Sequence, residues 1–249
     1  MRNATATRVL DGTLVILGIV AVWQVLHWIS GAAALASPEA TMRRMFVLMG
    51  DNVFWGHVAE SIKALVLALL ISSFGGLALG LSLGARLVYA RIAEPILTAL
   101  YSLPKVTLYP VILLIFGLGL SAKVAFGAIH GLIPVTIFAM NAVRNLNPVL
   151  LRTARVMRLS QWQAVTTVLM PAALPEVVTG LRVGFSLTLV GVLIGELFAS
   201  QRGLGYMIIS AIRLNEVETI MAVTVFLAVF AVGVNIVLLA IDQRLHRRS

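Results

Sequence analysis

The chain has 249 residues, of which 60% are hydrophobic and only 12% charged, a balance that excludes a water-soluble globular domain of this size. Nineteen Lys and Arg stand against ten Asp and Glu, yet these cations fill short gaps between apolar runs instead of one exposed face, which argues against nucleic-acid binding and for the anionic leaflet of a membrane. Cysteine is absent, so disulfides, thiolate metal sites and a cysteine nucleophile are excluded.

A helix needs about 20 apolar residues to cross the hydrocarbon core, and six stretches qualify: 12–30, 61–84, 101–119, 122–141, 177–199 and 219–241. The fold expected is all-α and integral to the membrane, one transmembrane domain over 1–249 with a cytoplasmic loop at about 142–176. Before the first stretch, Arg2 and Arg8 followed by an apolar run and the small residues around Ala34-Leu35-Ala36 have the form of a secretory signal. The run from Gly12 to Ile29 exceeds the usual signal core, and Trp23 and Trp28 have the character of interfacial anchors for a retained helix. In the second stretch, Ser72, Gly76, Gly80 and Gly84 recur every fourth residue, and Gly127 with Gly131 and Gly191 with Gly195 repeat the spacing. Small residues so placed let helix backbones approach closely in lipid. Only Gly117, Gly119 and Ser121 mark the turn between the third and fourth stretches.

With six spans, eleven cations fall on one side: Arg2, Arg8, Arg86, Arg91, Arg144, Arg152, Arg155, Arg158, Arg244, Arg247 and Arg248. Arg43, Arg44, Lys123, Arg202 and Arg213 fall on the other, so the positive-inside rule places both termini in the cytoplasm.

Several motifs lack the context their chemistry requires. Gly80 to Gly84 spell G-x-S-x-G, but a nucleophile elbow needs a strained strand-to-helix turn and not a membrane helix. Asn3-Ala4-Thr5 is a glycosylation acceptor on a terminus expected in the cytoplasm. His27, His57, His130 and His246 show no metal-ligand spacing, and no G-x-x-x-x-G-K-[ST] loop occurs. Glu196 is the one acid well inside a predicted span; it is read either as a structural partner of the loop at Gly203 to Tyr206 or as a solute contact. Ser186 and Thr188, with Thr136, Asn141 and Asn235, line a translocation path or bond between helices. Lys105 and Arg182, near the cytoplasmic ends of their stretches, are expected to snorkel to headgroups, with use in an anion path as the other reading.

The loop between the fourth and fifth stretches is patterned. Pro148 opens a short helix to Met157; Ser160 and Gln163 form a capping box for a second helix to about Leu169, which Pro171 stops, while Pro175 precedes the fifth span. Two small helices on a membrane surface suit docking to a soluble partner.

On these residues the chain resembles the permeases of binding-protein-dependent ABC importers, whose loop carries E-A-A-x3-G-x9-I-x-L-P. Arg152 stands at the acid, Thr153 at the first alanine, Ala154 at the second, Arg158 at the glycine, Val168 at the isoleucine, Met170 at the leucine and Pro171 at the proline. Gly180-Leu181-Arg182, Ser37-Pro38, Ser61, the Pro104 to Pro110 segment, Phe116 to Gly119, and Glu196 with Gly203 to Tyr206 extend the likeness, which is nearest the nitrate, sulfonate and taurine branch. The resemblance implies six transmembrane helices of the type I importer fold in the bacterial inner membrane and no chemistry of its own. It implies ATP bound by a partner ATPase that docks on Arg152 to Pro171, including Ser160 and Trp162. A second permease, a copy or a paralogue, and an extracytoplasmic solute-binding protein complete the assembly. Three departures stand in the docking loop: Arg152 reverses a charge, Thr153 replaces an alanine, and Arg158 occupies a glycine position where positive φ is expected. Transport driven by an ion gradient is the alternative, though such folds show internal repeats.

Overall fold

A bilayer core offers backbone amides no water, so a chain this apolar must satisfy them within helices. The structure, a computed structural model, describes residues 2–246; Arg247 and Arg248 of the charge pattern lie outside the described residues. In chain order the helices are α1 (Arg2–Ser30), α2 (Pro38–Met49), α3 (Asn52–Gly84), α4 (Leu87–Ser102), α5 (Tyr109–Phe116), α6 (Leu120–Arg144), α7 (Pro148–Val156), α8 (Gln161–Ala164), α9 (Met170–Ala199), α10 (Leu204–Arg213) and α11 (Val217–His246). Five are long and apolar enough to cross a membrane, or six spans if the bent pair α4–α5 is counted as one.

That pair corrects the third span expected at 101–119. The segment Leu87–Ser102 meets Lys105–Phe116 at 85°. Leu103 is extended at the break (φ −64°, ψ 135°), because the ring of Pro104 disfavours helical backbone in the residue before it. The fifth span is also longer than expected. Pro171 does not stop the helix: an apolar helical stretch runs from Trp162 to Phe198, with Val165–Leu169 as a π-turn ahead of α9. Pro171 sits in the first turn of α9, and the wider π-turn gives its ring room against the preceding carbonyl, where a regular α-turn would clash.

The chain divides into two compact units, residues 1–57 with 207–228, and residues 58–206 with 229–249. In the first, the segment after α1 folds back on that helix. Trp23 Nε1 donates to the Ala36 carbonyl (3.0 Å), and a His27 ring nitrogen bonds the Leu35 carbonyl (2.6 Å). Phe54 meets Phe226 edge-on with ring centroids 5.1 Å apart.

The second unit is built around α6. Lipid rewards burial of a leucine little, so van der Waals fit and close backbone approach hold these helices together. A Cβ at Gly80 would stand 2.5 Å from the Thr136 carbonyl, and one at Gly84 would stand 2.6 Å from the Met140 carbonyl. The glycine face of α3 therefore lies against α6. On another side of α6, Gly127 and Gly131 meet Thr188, Gly191 and Val192 of α9. Ala64, Leu65, Ala68, Phe185, Leu189 and Val192 form an adjoining core. At one end of α6, Arg144 grips Glu94 of α4 with contacts of 2.5 and 3.0 Å.

Gly80→Val is expected to lower the thermal unfolding midpoint of the detergent-purified chain, at an overpacking cost of about 1–3 kcal/mol. Gly56→Val, where a Cβ meets nothing within 4 Å, is the control and is expected to leave the midpoint close to wild type.

Candidate functional site

The α7–α8 loop is shaped by caps at each end of its helices. Asn147 caps α7 by accepting from the Val149 amide (2.9 Å), with Pro148 in the first turn. The helix closes through two bonds, from Arg158 N–H to the Arg155 carbonyl (3.0 Å) and from Leu159 N–H to the Ala154 carbonyl (3.1 Å). This paired pattern is the Schellman ending, which requires a left-handed residue; that residue is Arg158, at φ 52°. A non-glycine side chain there costs about 1–2 kcal/mol.

The Ser160 amide then donates to Gln163 Oε1 (3.0 Å) and the Gln163 amide to Ser160 Oγ (3.3 Å), the reciprocal capping box read from the sequence. Thr166 and Thr167 turn their hydroxyls onto the carbonyls of Trp162 and Gln163, at 2.8 and 2.6 Å. Arg152, Thr153, Arg155 and Arg158 are exposed while Ala154 is buried, so α7 lays one side down and turns its arginines outward. Val156, Met157 and Trp162 are 83%, 64% and 76% exposed, an apolar edge beside the basic face. Val168 lies in the π-turn, and Met170 and Pro171 open α9.

Glu196 is the centre of a second constellation. Its carboxylate is fully buried and accepts from Ser61 Oγ of α3 (2.9 and 2.8 Å) and from the Gly205 amide at the start of α10 (2.9 Å). Ser61 Oγ in turn accepts from the Leu204 amide (2.8 Å). Lys123 Nζ stands 3.6 Å from Glu196 Oε1 and donates to the Arg202 carbonyl (2.9 Å). Gly203 is at φ 124°, where a Cβ would collide with the Glu196 carboxylate. Every one of these contacts serves the turn between α9 and α10.

Lys123 corrects the charge map, because it is 2% exposed within α6 and not a loop cation. Its signal in the sequence was a lone lysine in an apolar run, in a chain with one intramembrane acid. Arg182 pairs with Asp242 of α11 (3.2 Å), which also accepts from Thr179 Oγ1 (3.1 Å). Thr188 is wholly buried with its hydroxyl 3.2 Å from that of Ser72, and Ser186 Oγ accepts from Asn235 (3.2 Å). The three residues read as path candidates, Ser186, Thr188 and Glu196, are thus each tied to a neighbouring helix.

Removing one member of a buried ion pair costs about 3–5 kcal/mol, more than removing both. Lys123→Met is therefore expected to lower the unfolding midpoint of the purified chain more than Lys123→Met combined with Glu196→Gln. Arg158→Gly is expected to raise it, since glycine relieves about 1 kcal/mol of left-handed strain.

Comparison with known proteins agrees with this architecture. The family described as the binding-protein-dependent transport system inner membrane component matches residues 76–249. The chain is 27% identical over 240 residues to the taurine transport system permease protein TauC of Escherichia coli K12, covering 92% of this chain and 87% of that one. It is 28% identical over 222 residues to a putative aliphatic sulfonates transport permease protein of Bacillus subtilis 168, covering 88% and 80%. It is 24% identical over 231 residues to the nitrate import permease protein NrtB of Leptolyngbya laminosa, covering 89% and 81%. The fold is similar to that of a chain in the inward-facing MetNI methionine ABC transporter, with a TM-score of 0.58 at 19% identity, over 81% of this chain and 98% of that one. An ion-gradient mechanism finds no support among these relatives. A loop of two capped helices between α6 and α9, a glycine-packed helical bundle and a family match across most of the chain converge: this protein belongs to the inner-membrane components of binding-protein-dependent transport systems, the membrane-spanning permease subunits of ABC importers.

Proposed function

We propose that this permease moves a small anionic solute of the sulfonate, taurine or nitrate type, in a pair with a second permease, and that its ATPase partner docks on the α7–α8 loop. The observation that carries the docking is the loop itself: two short capped helices joined at a left-handed Arg158, the position at which the family motif has glycine. The loop faces the cytoplasm in this reading, with both termini on the same side, as the arginine distribution supports. ATP is bound by the partner, and the energy of its hydrolysis reaches the bundle where the π-turn joins the docking helices to α9. The solute class rests on the relatives, whose names specify taurine, aliphatic sulfonates and nitrate.

Charge specifies the partner further. Residues 142–175 contain Arg144, Arg152, Arg155 and Arg158 but no Asp or Glu, and the last three are exposed. A cleft that accepts them is acidic or neutral where a partner of the usual motif meets a carboxylate, since like charges juxtaposed in an interface cost several kcal/mol. Solubilisation from native membranes in mild detergent is expected to recover an ATP-hydrolysing subunit with this chain; recovery of the chain alone would sink the proposal. With that native ATPase, Arg152→Glu is expected to cut permease-stimulated hydrolysis by about tenfold, the equivalent of 1.4 kcal/mol, and unchanged stimulation would remove Arg152 from the interface.

A further inference from the structure

Cations inside the spanning helices are expensive and are normally paired. Lys123, Arg144 and Arg182 each have a carboxylate within 4 Å, in Glu196, Glu94 and Asp242. Among the described residues, no carboxylate pairs with Lys63, Arg91 or Lys105; Lys63 and Arg91 are exposed on α3 and α4, whereas Lys105 is half-buried. Lys105 opens the four-residue turn Lys105–Leu108 at the 85° break between α4 and α5. Counted as one span, α4 and α5 hold Lys105 between them, away from both ends of that span. One turn on, Tyr109 packs edge-on against Phe126 (5.5 Å), which in turn touches His130 (4.6 Å).

The ammonium is held without being neutralised. Lys105 Nζ donates to the Tyr101 carbonyl (3.0 Å) and stands 5.1 Å from the Tyr101 ring centroid. An ammonium has three N–H donors, so two remain after that bond. The side chain is half-buried, and the surrounding wall is open, with Tyr101, Leu103 and Val106 exposed by 43%, 50% and 46%. The Tyr109 hydroxyl in the same wall is buried without a partner. His130 Nδ1 donates to the Phe126 carbonyl (2.8 Å).

We propose that Lys105 is the mid-membrane binding position for the anionic group of the solute, a fixed cation at a helix break whose missing carboxylate is supplied by the cargo. A sulfonate or nitrate oxygen takes the free N–H donors, and the charge-assisted bond is weak enough for release because a single unpaired cation makes it. The inference rests on the permease reading and adds to it the class of solute and the residue that meets it.

The test is equilibrium binding of radiolabelled methanesulfonate, taurine and nitrate to the purified permease–ATPase complex in nanodiscs, with the solute-binding protein omitted. Saturable binding of at least one anion is expected. Lys105→Gln is expected to weaken it at least tenfold, about 1.4 kcal/mol, while Lys105→Arg stays within about threefold because it restores the charge. Lys105→Met serves if the Gln variant fails to assemble. Wild-type binding of none of the three solutes, or equal binding by wild type and Lys105→Gln, would each overturn the proposal. A complex that contains ATPase yet binds no anion overturns this site only, whereas a chain that recovers no ATPase sinks the importer reading beneath it.

Discussion

Close approach of α6 to its neighbours is the constraint on which the second unit depends. In lipid, packing must come from backbones that nearly touch, and Gly80 and Gly84 on α3 have no room for a Cβ against the carbonyls of Thr136 and Met140. Once α3, α6 and α9 lie this close, their polar side chains can reach one another. The Thr188–Ser72 hydroxyl pair and the Asn235–Ser186 bond are consequences of that spacing, and so is the contact that brings Ser61 to Glu196.

Polar groups concentrate where regular helix gives way. At the turn from α9 to α10, orphan amides of Leu204 and Gly205 are met by Ser61 and Glu196, and Lys123 balances the buried charge. At the break between α4 and α5, the Tyr101 carbonyl is met by Lys105. The two lysines use the same chemistry to different ends. Lys123 is enclosed and paired, so it serves the fold, whereas Lys105 is half-buried on an open wall with donors to spare.

The α7–α8 loop is the other specialised place. Its helices are capped by Asn147, by the Schellman ending at Arg158 and by the Ser160–Gln163 box, and they continue through a π-turn into α9 without a flexible linker. One helical stretch therefore runs from α8 through α9 and ends just past Glu196. Arg182 and Thr179 fasten the lower part of that stretch to α11 through Asp242.

Much of this was legible in order along the chain. Composition and run length determined a helical membrane protein, the four-residue spacing of Gly76, Gly80 and Gly84 determined a packing face, and the Ser160–Gln163 pair determined a cap, because each signal is local and survives without knowledge of neighbours. The tertiary structure decided what depends on partners distant in sequence. Pro171 looked like a stop until a π-turn made room for its ring, and Pro104 turned a seemingly straight span into an 85° break. Lys123 looked like a loop cation until α6 carried it against Glu196, 73 residues away. Lys105 looked like a snorkelling cation within its stretch; only the fold shows that Lys123 has a carboxylate and Lys105 has none, since pairing is fixed by distance in space and not by distance along the chain.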